Sequence, residues 1–175
     1  MLRVIFFKIE ERGVVFLLVI SIIEVMEEKE LRGYGGRLLA KREYSPKELA
    51  EKMLKRTEDS SLVWSIINGW EESGVLSNKR YTEDFIKNQT LTTKNGPRII
   101  LEKLRLKGGD VDYGKQVMEY IFGKSERLNV IEKLMNKKSV QLEGRGYSDF
   151  ATKGKIMAYI AGKGYDFDEI KEVVG

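Results

Sequence analysis

The segment RIILEKLRLKGGDVDYGKQVM at residues 98–118 decides the fold, because a close copy of it, KIMAYIAGKGYDFDEIKEVV, occupies residues 155–174. When the Lys-Gly pair at 107–108 is aligned with the Lys-Gly pair at 163–164, the apolar residues of the two copies coincide. A third copy, SPKELAEKMLKR at residues 45–56, joins the alignment at nearly the same spacing. The chain therefore repeats one pattern three times.

Each copy predicts an amphipathic helix that is followed by a tight turn and a shorter helix. Its apolar residues stand at positions i, i+1 and i+4, which lie on one face of a helix. A basic residue in the last turn suits the negative end of the helix dipole. In the second and third copies a glycine follows, and glycine can adopt the left-handed conformation that ends a helix.

A further helix is predicted before each copy, at about residues 28–41, 79–90 and 126–137. A three-helix unit of this size cannot bury its apolar face alone, so neighbouring units are expected to stack. The sequence thus predicts a mainly α fold, in the form of an elongated array of three tandem three-helix repeats. The expected repeat boundaries are 26–76, 77–122 and 123–175.

Residues 1–25 are expected to form a β-hairpin or extension that precedes the repeats. The segments RVIFFKI (3–9) and VVFLLVI (14–20) are rich in β-branched and aromatic residues and are separated by a short EERG linker. The apolar run at 14–23 is half as long as the about 20 residues that a helix needs to cross a bilayer. An alternative is that the natural chain starts at Met26.

Three glycines complicate the first helix of the first repeat. Gly33, Gly35 and Gly36 stand inside it, and each interior glycine costs about 1 kcal/mol relative to alanine. This helix is therefore expected to be short or to begin near Arg37.

The chain lacks both cysteine and histidine, which restricts its chemistry. Disulfides, thiolate or imidazole metal sites and catalysis by a histidine-activated nucleophile are excluded. No other catalytic constellation is recognisable, so the prediction is no catalytic residue, no metal site, no cofactor and no enzyme activity. A formal charge of +4 permits an acidic partner without requiring one. The absence of cysteine fits a cytoplasmic location.

Basic residues of the second repeat are the first candidates for partner contact. Residues 94–107 hold five cations and one anion, and such a cluster can meet an acidic protein surface or a phosphate backbone. The alternative is an ordinary solvated helix face. A second set in the first repeat is diluted by glutamates. The candidates are Lys94, Arg98, Lys103, Arg105 and Lys107 in the second repeat, and Arg42, Lys47, Lys55 and Arg56 in the first.

Aromatic residues offer a second kind of candidate. Trp64 and Trp70, with Tyr81 and Phe85, could in principle stack against nucleic-acid bases. Their helical spacing among aliphatic residues favours core packing instead.

Four segments in this order resemble the RecX family: REYSPKELAEKML, GVLSNKRYTEDFI, GPRIILEKLRLKGG and IMAYIAGKGYDFDEIKEVV. The resemblance covers about residues 38–174, and the ordered set is more specific than any single piece. The chain departs from the usual family residues at Asn78, Thr82, Ile99 and Lys103. The matching positions are Arg42, Ser45, Glu48 and Leu49, then Gly74, Leu76, Tyr81 and Phe85, then Gly96, Pro97, Ile100, Leu104, Lys107 and Gly108, and finally Lys163, Gly164 and Tyr165.

The resemblance implies a non-enzymatic regulator of the RecA recombinase that acts in DNA repair, recombination and the SOS response. It implies binding in the helical groove of the RecA–DNA filament, with contacts to neighbouring RecA protomers. The implied effect is modulation of recombinase, ATPase and coprotease activity, with inhibition as the expected direction. The expected partners are RecA and the RecA–DNA filament, with weak direct DNA binding, no membrane and a monomeric chain.

A second function is compatible with the same helices. Three-helix units can act as helix-turn-helix-like modules, so the alternative is a stand-alone nucleic-acid-binding protein. The modest net charge and the lack of a helix with a clear base-reading face argue against it.

Overall fold

The computed structural model describes the backbone of residues 12–175 and the side chains from residue 25 onward. Within these residues the chain is α-helical, with turns between the helices and no β-strand. The helices are α1 (Arg12–Leu39), α2 (Pro46–Met53), α3 (Ser60–Glu72), α4 (Asn78–Thr92), α5 (Pro97–Leu106), α6 (Val111–Ile121), α7 (Lys124–Leu142), α8 (Asp149–Gly162) and α9 (Phe167–Val174).

The helices pack in consecutive triplets. The principal helix–helix contacts join α1 with α2 and α3, then α4 with α5 and α6, and then α7 with α8 and α9. We call these triplets unit 1, unit 2 and unit 3. Hydrogen bonds connect unit 1 to unit 2 and unit 2 to unit 3. The predicted mainly α fold, an elongated array of three tandem three-helix repeats, is confirmed.

Short polar residues begin most of the helices. The side chain of each accepts a hydrogen bond from a backbone N–H of the first turn, and so satisfies a donor that the helix leaves unpaired. Proline occupies the start of α2 and of α5, where its missing N–H carries no penalty. The capping residues are Ser45, Asp59, Ser77, Asp110, Ser148 and Asp166.

The buried apolar side chains of the described residues form two separate hydrophobic cores. The first belongs to unit 1 and contains the fully buried Leu49, Ile66 and Ile67. The second runs through units 2 and 3 without interruption and includes Leu104 of α5 and Ile160 of α8. Units 2 and 3 therefore share a core, whereas unit 1 is attached by other contacts.

The β-hairpin predicted over residues 1–25 is corrected by the structure. Its first strand, at 3–9, lies outside the described residues, and its second strand, at 14–20, falls inside α1. A short apolar run is compatible with either a strand or a helix when periodicity is the only signal. Here the run is continuous with the helix-favouring segment 24–39, and the backbone is helical across both.

The three glycines do not shorten the first helix as expected, because α1 continues through them to Leu39. Packing explains why a glycine stands at position 35. A Cβ on Gly35 would lie 2.7 Å from the ring of Trp70 and 3.2 Å from the sulfur of Met53. The indole ring can cover α1 here because the helix has no side chain at this point.

The helix triplets place the unit borders close to the predicted repeat boundaries. We propose that 26–76, 77–122 and 123–175 are the repeat domains. The turns at 73–77 and 122–123 separate the triplets. Helix α1 is unbroken at residue 26 and begins upstream of the first boundary.

Successive units are connected by joints of the same design. In each joint, the start of the middle helix of one unit rests against the Lys-Gly turn that ends the middle helix of the next unit. Ser45, which precedes α2, donates a hydrogen bond from its hydroxyl to the carbonyl of Lys107. Gly96, which precedes α5, donates one from its N–H to the carbonyl of Lys163 over 2.7 Å. The Lys-Gly pairs repeated in the sequence are thus the docking points of the array.

Glycine is required in the joints for its conformation and for its small size. Gly108 and Gly164 have φ angles of +78° and +90°, a region that other residues rarely adopt. A Cβ on Gly108 would lie 2.5 Å from Cβ of Lys47, and one on Gly164 would lie 2.8 Å from the backbone nitrogen of Ile99. Gly96 has an ordinary φ of −80°, but its Cβ would lie 2.6 Å from the carbonyl carbon of Gly164.

We predict that Gly164→Ala lowers the free energy of unfolding by about 3 kcal/mol, because it combines a left-handed φ with overlap against fixed backbone. Three alanine variants separate these causes. Gly74→Ala has φ of +73° without a close neighbour, Gly96→Ala has overlap without positive φ, and Gly162→Ala has neither. Urea unfolding followed by circular dichroism measures the series. Equal stability of Gly164→Ala and Gly162→Ala would contradict the joint as described.

Candidate partner-binding surface

Two of the predicted partner-binding residues lie in the joint between units 1 and 2. Lys107 Nζ is 2.6 Å from Oε1 of Glu48, and Lys47 Nζ donates a hydrogen bond to the carbonyl of Leu106 over 3.0 Å. Arg80 of unit 2 adds an ion pair, with its Nε 2.8 Å from Oε1 of Glu43 in unit 1. This joint is polar, and Lys47 and Lys107 are engaged within the chain.

Glu48 is the centre of this joint. Its side chain is only 13% exposed and lies within 3.3 Å of Arg42 as well as beside Lys107. Burial opposes ionisation, but the hydrogen bond and charge of Lys107, together with Arg42, outweigh it and lower the pKa of Glu48. Tyr81 lies next to this group, and burial together with the charge of Glu48 raises the pKa of its hydroxyl.

Arg98 lies in the joint between units 2 and 3. Its guanidinium donates a hydrogen bond to the carbonyl of Ala161 over 3.1 Å, at the end of α8, where a positive charge stabilises the helix dipole. The ring of Phe122 meets the buried ring of Tyr165 edge-on, with 6.4 Å between their centroids. The Tyr165 hydroxyl is 3.4 Å from the carbonyl of Lys94. Apolar packing therefore dominates this joint.

Lys103 and Arg105 project from the exposed face of α5. Arg105 forms two hydrogen bonds with the carboxylate of Glu102, one turn earlier, and these lower the pKa of Glu102. Lys103 Nζ is 3.4 Å from the side-chain oxygen of Gln89. Together with the exposed Lys94, these residues hold no joint through their side chains, so they remain available to a partner.

The other predicted residues of unit 1 are exposed. The guanidinium of Arg42 lies 3.7 Å from the ring centre of Tyr44, and that of Arg56 lies 4.7 Å from the ring centre of Tyr34. Such cation–π contacts orient the charge and leave it accessible. Lys55 lies at the end of α2, beside a shallow groove that also contains Arg42. The predicted residues thus divide between joints and exposed faces, and their role in partner binding stays a prediction.

The expected core packing holds for three of the four aromatic residues. Tyr81 and Phe85 belong to the core of units 2 and 3, and Trp70 packs against the core of unit 1. For Trp64 the expectation is wrong, because its side chain is 42% exposed. Trp64 stands one position away from the buried stripe of α3, which begins at Val63.

Sequence reasoning missed Arg127, a buried arginine of α7. It donates hydrogen bonds to Glu169 of α9 and to the carbonyl of Phe122, both over 2.8 Å. Burial opposes its charge, but Glu169 and Glu119 outweigh this effect and raise the pKa of Arg127. It ties unit 3 to the end of unit 2. The one available signal was its helical spacing to Ile131 on the apolar face of α7.

From residue 25 to the C-terminus, no group of three or more acidic side chains is placed to hold a metal ion. No helix in the described part of the chain combines the length and apolarity of a membrane span.

Comparisons with known proteins point to one family. The model of the RecX third three-helix domain matches residues 125–174, which form unit 3. Regulatory protein RecX of Mycobacterium sp. (strain KMS) is 25% identical over 153 residues, which cover 86% of this chain and 83% of that protein. Regulatory protein RecX of Streptococcus equi subsp. equi (strain 4047) is 24% identical over 140 residues. The resemblance to the RecX family is confirmed.

Solved RecX structures have the same fold. The crystal structure of RecX from Lactobacillus salivarius superimposes with a TM-score of 0.77 at 18% identity, covering 86% of this chain and 96% of that one. A second crystal structure of regulatory protein RecX gives a TM-score of 0.80 at 14% identity, covering 95% of this chain and 78% of that one. In the match to the Streptococcus equi RecX, the aligned region is 78% of this chain but only 51% of that protein. The chain therefore spans about half the length of this relative.

We predict that Glu48→Gln lowers the free energy of unfolding by about 1–2 kcal/mol at neutral pH, because it removes charge from the hydrogen bonds of Lys107 and Arg42. The folded-state pKa of Glu48 is below the ordinary glutamate value of 4.5, so its contribution is present above that value and is lost as pH falls through the folded pKa. The variant and the parent should therefore converge in acid. Urea unfolding at several pH values measures the difference.

Glu51→Gln is the matched control, because Glu51 is an exposed residue of the same helix. It should change stability little at any pH. A stability deficit of Glu48→Gln that stays constant down to acid pH would contradict the role assigned to the carboxylate.

Proposed function

We propose that this chain is a RecX-like regulatory protein that binds RecA and the RecA–DNA filament. Its proposed action is modulation, with inhibition of recombinase, ATPase and coprotease activity as the expected direction, in DNA repair and the SOS response. It acts by binding rather than by catalysis, as a cytoplasmic monomer. The confirmed family resemblance supports this function, and the relatives named above are called regulatory proteins.

The observation that carries the proposal is the ordered docking of three similar units. Each joint connects neighbouring units only, so within the described residues no hydrogen bond or ion pair joins unit 1 to unit 3. An elongated array of this kind can touch several subunits of a repeating filament at once. Because the contacts share one scaffold, each raises the effective concentration of the next, and weak contacts add up to firm binding.

Exposed cations of unit 2 are the proposed contact residues on this array. Lys103 and Arg105 lie on the outer face of α5 and leave the joints undisturbed. Arg98, Lys47 and Lys107 are less suitable for a test, because their side chains hold the joints and their removal changes the array itself.

The test is the ATPase activity of RecA on single-stranded DNA with this protein titrated in. We expect inhibition by the wild type, and we expect Lys103→Glu combined with Arg105→Glu to raise the half-inhibitory concentration about tenfold or more. Reversed charges at a complementary surface cost at least about 1.4 kcal/mol, which corresponds to that factor. Circular dichroism checks that helicity is unchanged.

Lys29→Glu combined with Lys87→Glu is the control with the same change in net charge on exposed residues elsewhere. It should inhibit like the wild type. If both double variants inhibit equally, the outer face of α5 is not the contact surface. If the wild type neither lowers nor raises the ATPase rate of RecA, the proposed function itself is wrong.

A further inference from the structure

Two aromatic side chains stand exposed at the turn between α7 and α8. Phe150 is 89% exposed and Tyr147 is 44% exposed. The turn contains Gly144 and Gly146, with φ angles of +73° and +71°. Ser148 caps α8 between the two aromatic residues and so holds the backbone that carries them. Exposed apolar groups that occur together, rather than singly, mark surfaces that bind a partner or ligand.

The same part of the chain carries the excess positive charge of the protein. Residues 133–155 contain six basic and two acidic residues, and the rest of the chain has equal numbers of each. In the described part of the chain none of the six pairs with an acidic side chain, and Lys153 Nζ donates a hydrogen bond to the oxygen of Gly175 over 3.1 Å. The six are Lys133, Lys137, Lys138, Arg145, Lys153 and Lys155.

Cations lie directly beside both aromatic side chains. Lys155 Nζ is 4.6 Å from the ring centre of Tyr147. Lys153 follows Phe150 by three residues in α8, which places both on one helix face. Arg145 precedes Tyr147 in the turn itself. We call these five residues the unit 3 tip.

Another exposed aromatic residue shows what is special about the tip. Tyr120, at the end of α6, is 92% exposed, but the groove beside it is lined by Glu83 and Tyr113 and by no cation. The cations of α5 differ as well, because Arg105 is paired with a neighbouring carboxylate. Phe167, 52% exposed, has a single cation beside it, with Lys171 Nζ 4.8 Å from its ring centre. The tip groups two exposed rings with three cations that form no ion pair with an acidic side chain in the described residues.

We propose that the unit 3 tip binds single-stranded nucleic acid, with bases stacked on Phe150 and Tyr147 and phosphates held by Arg145, Lys153 and Lys155. Aromatic side chains in a basic setting are the arrangement by which proteins bind single strands without reading their sequence. A duplex hides the faces of its bases, so the rings have no partner there. Interfaces with proteins are depleted in lysine, which disfavours a protein as the occupant. This inference does not depend on regulation of RecA.

The test is fluorescence anisotropy of labelled oligo(dT) and oligo(rU), about 16 nucleotides long, with the full chain and no other protein. We expect both oligonucleotides to bind, and we expect Phe150→Ala to weaken binding about five- to a hundredfold, the range measured for one stacked base. Phe150→Trp should retain binding because the indole also stacks. An oligonucleotide without bases should bind wild type and Phe150→Ala equally.

The positive charges are tested by a salt series. Removing two phosphate contacts with Lys153→Ala and Lys155→Ala should reduce the slope of log affinity against log salt by about 1.4, at about 0.7 per contact with a single strand. Lys29→Ala combined with Lys87→Ala is the matched control and should leave the slope unchanged. Circular dichroism checks the folding of every variant.

Tyr120→Ala is the matched control for the aromatic residue, since Tyr120 is as exposed as Phe150. It should bind oligo(dT) like the wild type. The proposal is overturned if Phe150→Ala and Tyr120→Ala weaken binding equally, or if Phe150→Ala has no effect. It is also overturned if the wild type prefers anionic lipid vesicles and loses that preference in Phe150→Ala, because the tip is then a lipid site.

Discussion

The structure depends on one repeated contact, the docking of a helix start against the Lys-Gly turn that ends the equivalent helix of the next unit. Helices α8, α5 and α2 thereby follow one another head to tail, and the partial negative charge at the end of one meets the partial positive charge at the start of the next. The contact is made largely by backbone groups, with Gly96 donating to Lys163 and Arg98 to Gly164. Backbones can approach this closely only where side chains are absent, which is why glycine occupies the turn.

The two joints share this geometry but differ in what surrounds it. Between units 1 and 2 the contact is surrounded by polar groups, with Glu48 held by Lys107 and Arg42. Between units 2 and 3 the rings of Phe122 and Tyr165 belong to one continuous core. Beside it, the buried Arg127 of unit 3 donates a hydrogen bond to the carbonyl of Phe122 at the end of unit 2. Units 2 and 3 therefore share one apolar core. Unit 1 has a core of its own and is attached to unit 2 through ion pairs, so we expect this attachment to weaken with salt and with acid. The attachment of unit 2 to unit 3 depends instead on the burial of apolar side chains.

This division explains why the basic residues were difficult to interpret from the sequence. In the sequence, Arg98, Lys47 and Lys107 look the same as Lys103 and Arg105. All five are polar positions within or at the end of an amphipathic helix. Whether such a cation meets solvent, a partner or another part of the chain depends on which helix ends lie next to it. The same reasoning applies to Arg127, whose place on the apolar face of α7 is explained only by Glu169, which lies 42 residues later. The hairpin error at 14–20 has a different cause, because a short apolar run does not distinguish a strand from a helix.

The sequence by itself determined the number of units, the position of most helix starts and the three repeated segments, because capping residues, helical periodicity and Lys-Gly turns act over a few residues. It also excluded chemistry based on cysteine and histidine. Only the tertiary structure decided how the units join, which cations are used inside the molecule and which aromatic residues stay in solvent. Those properties depend on contacts between residues about 60 or more positions apart, such as Glu48 with Lys107 and Arg98 with Ala161. No local pattern contains that information, since long-range packing selects among side chains that look alike along the chain.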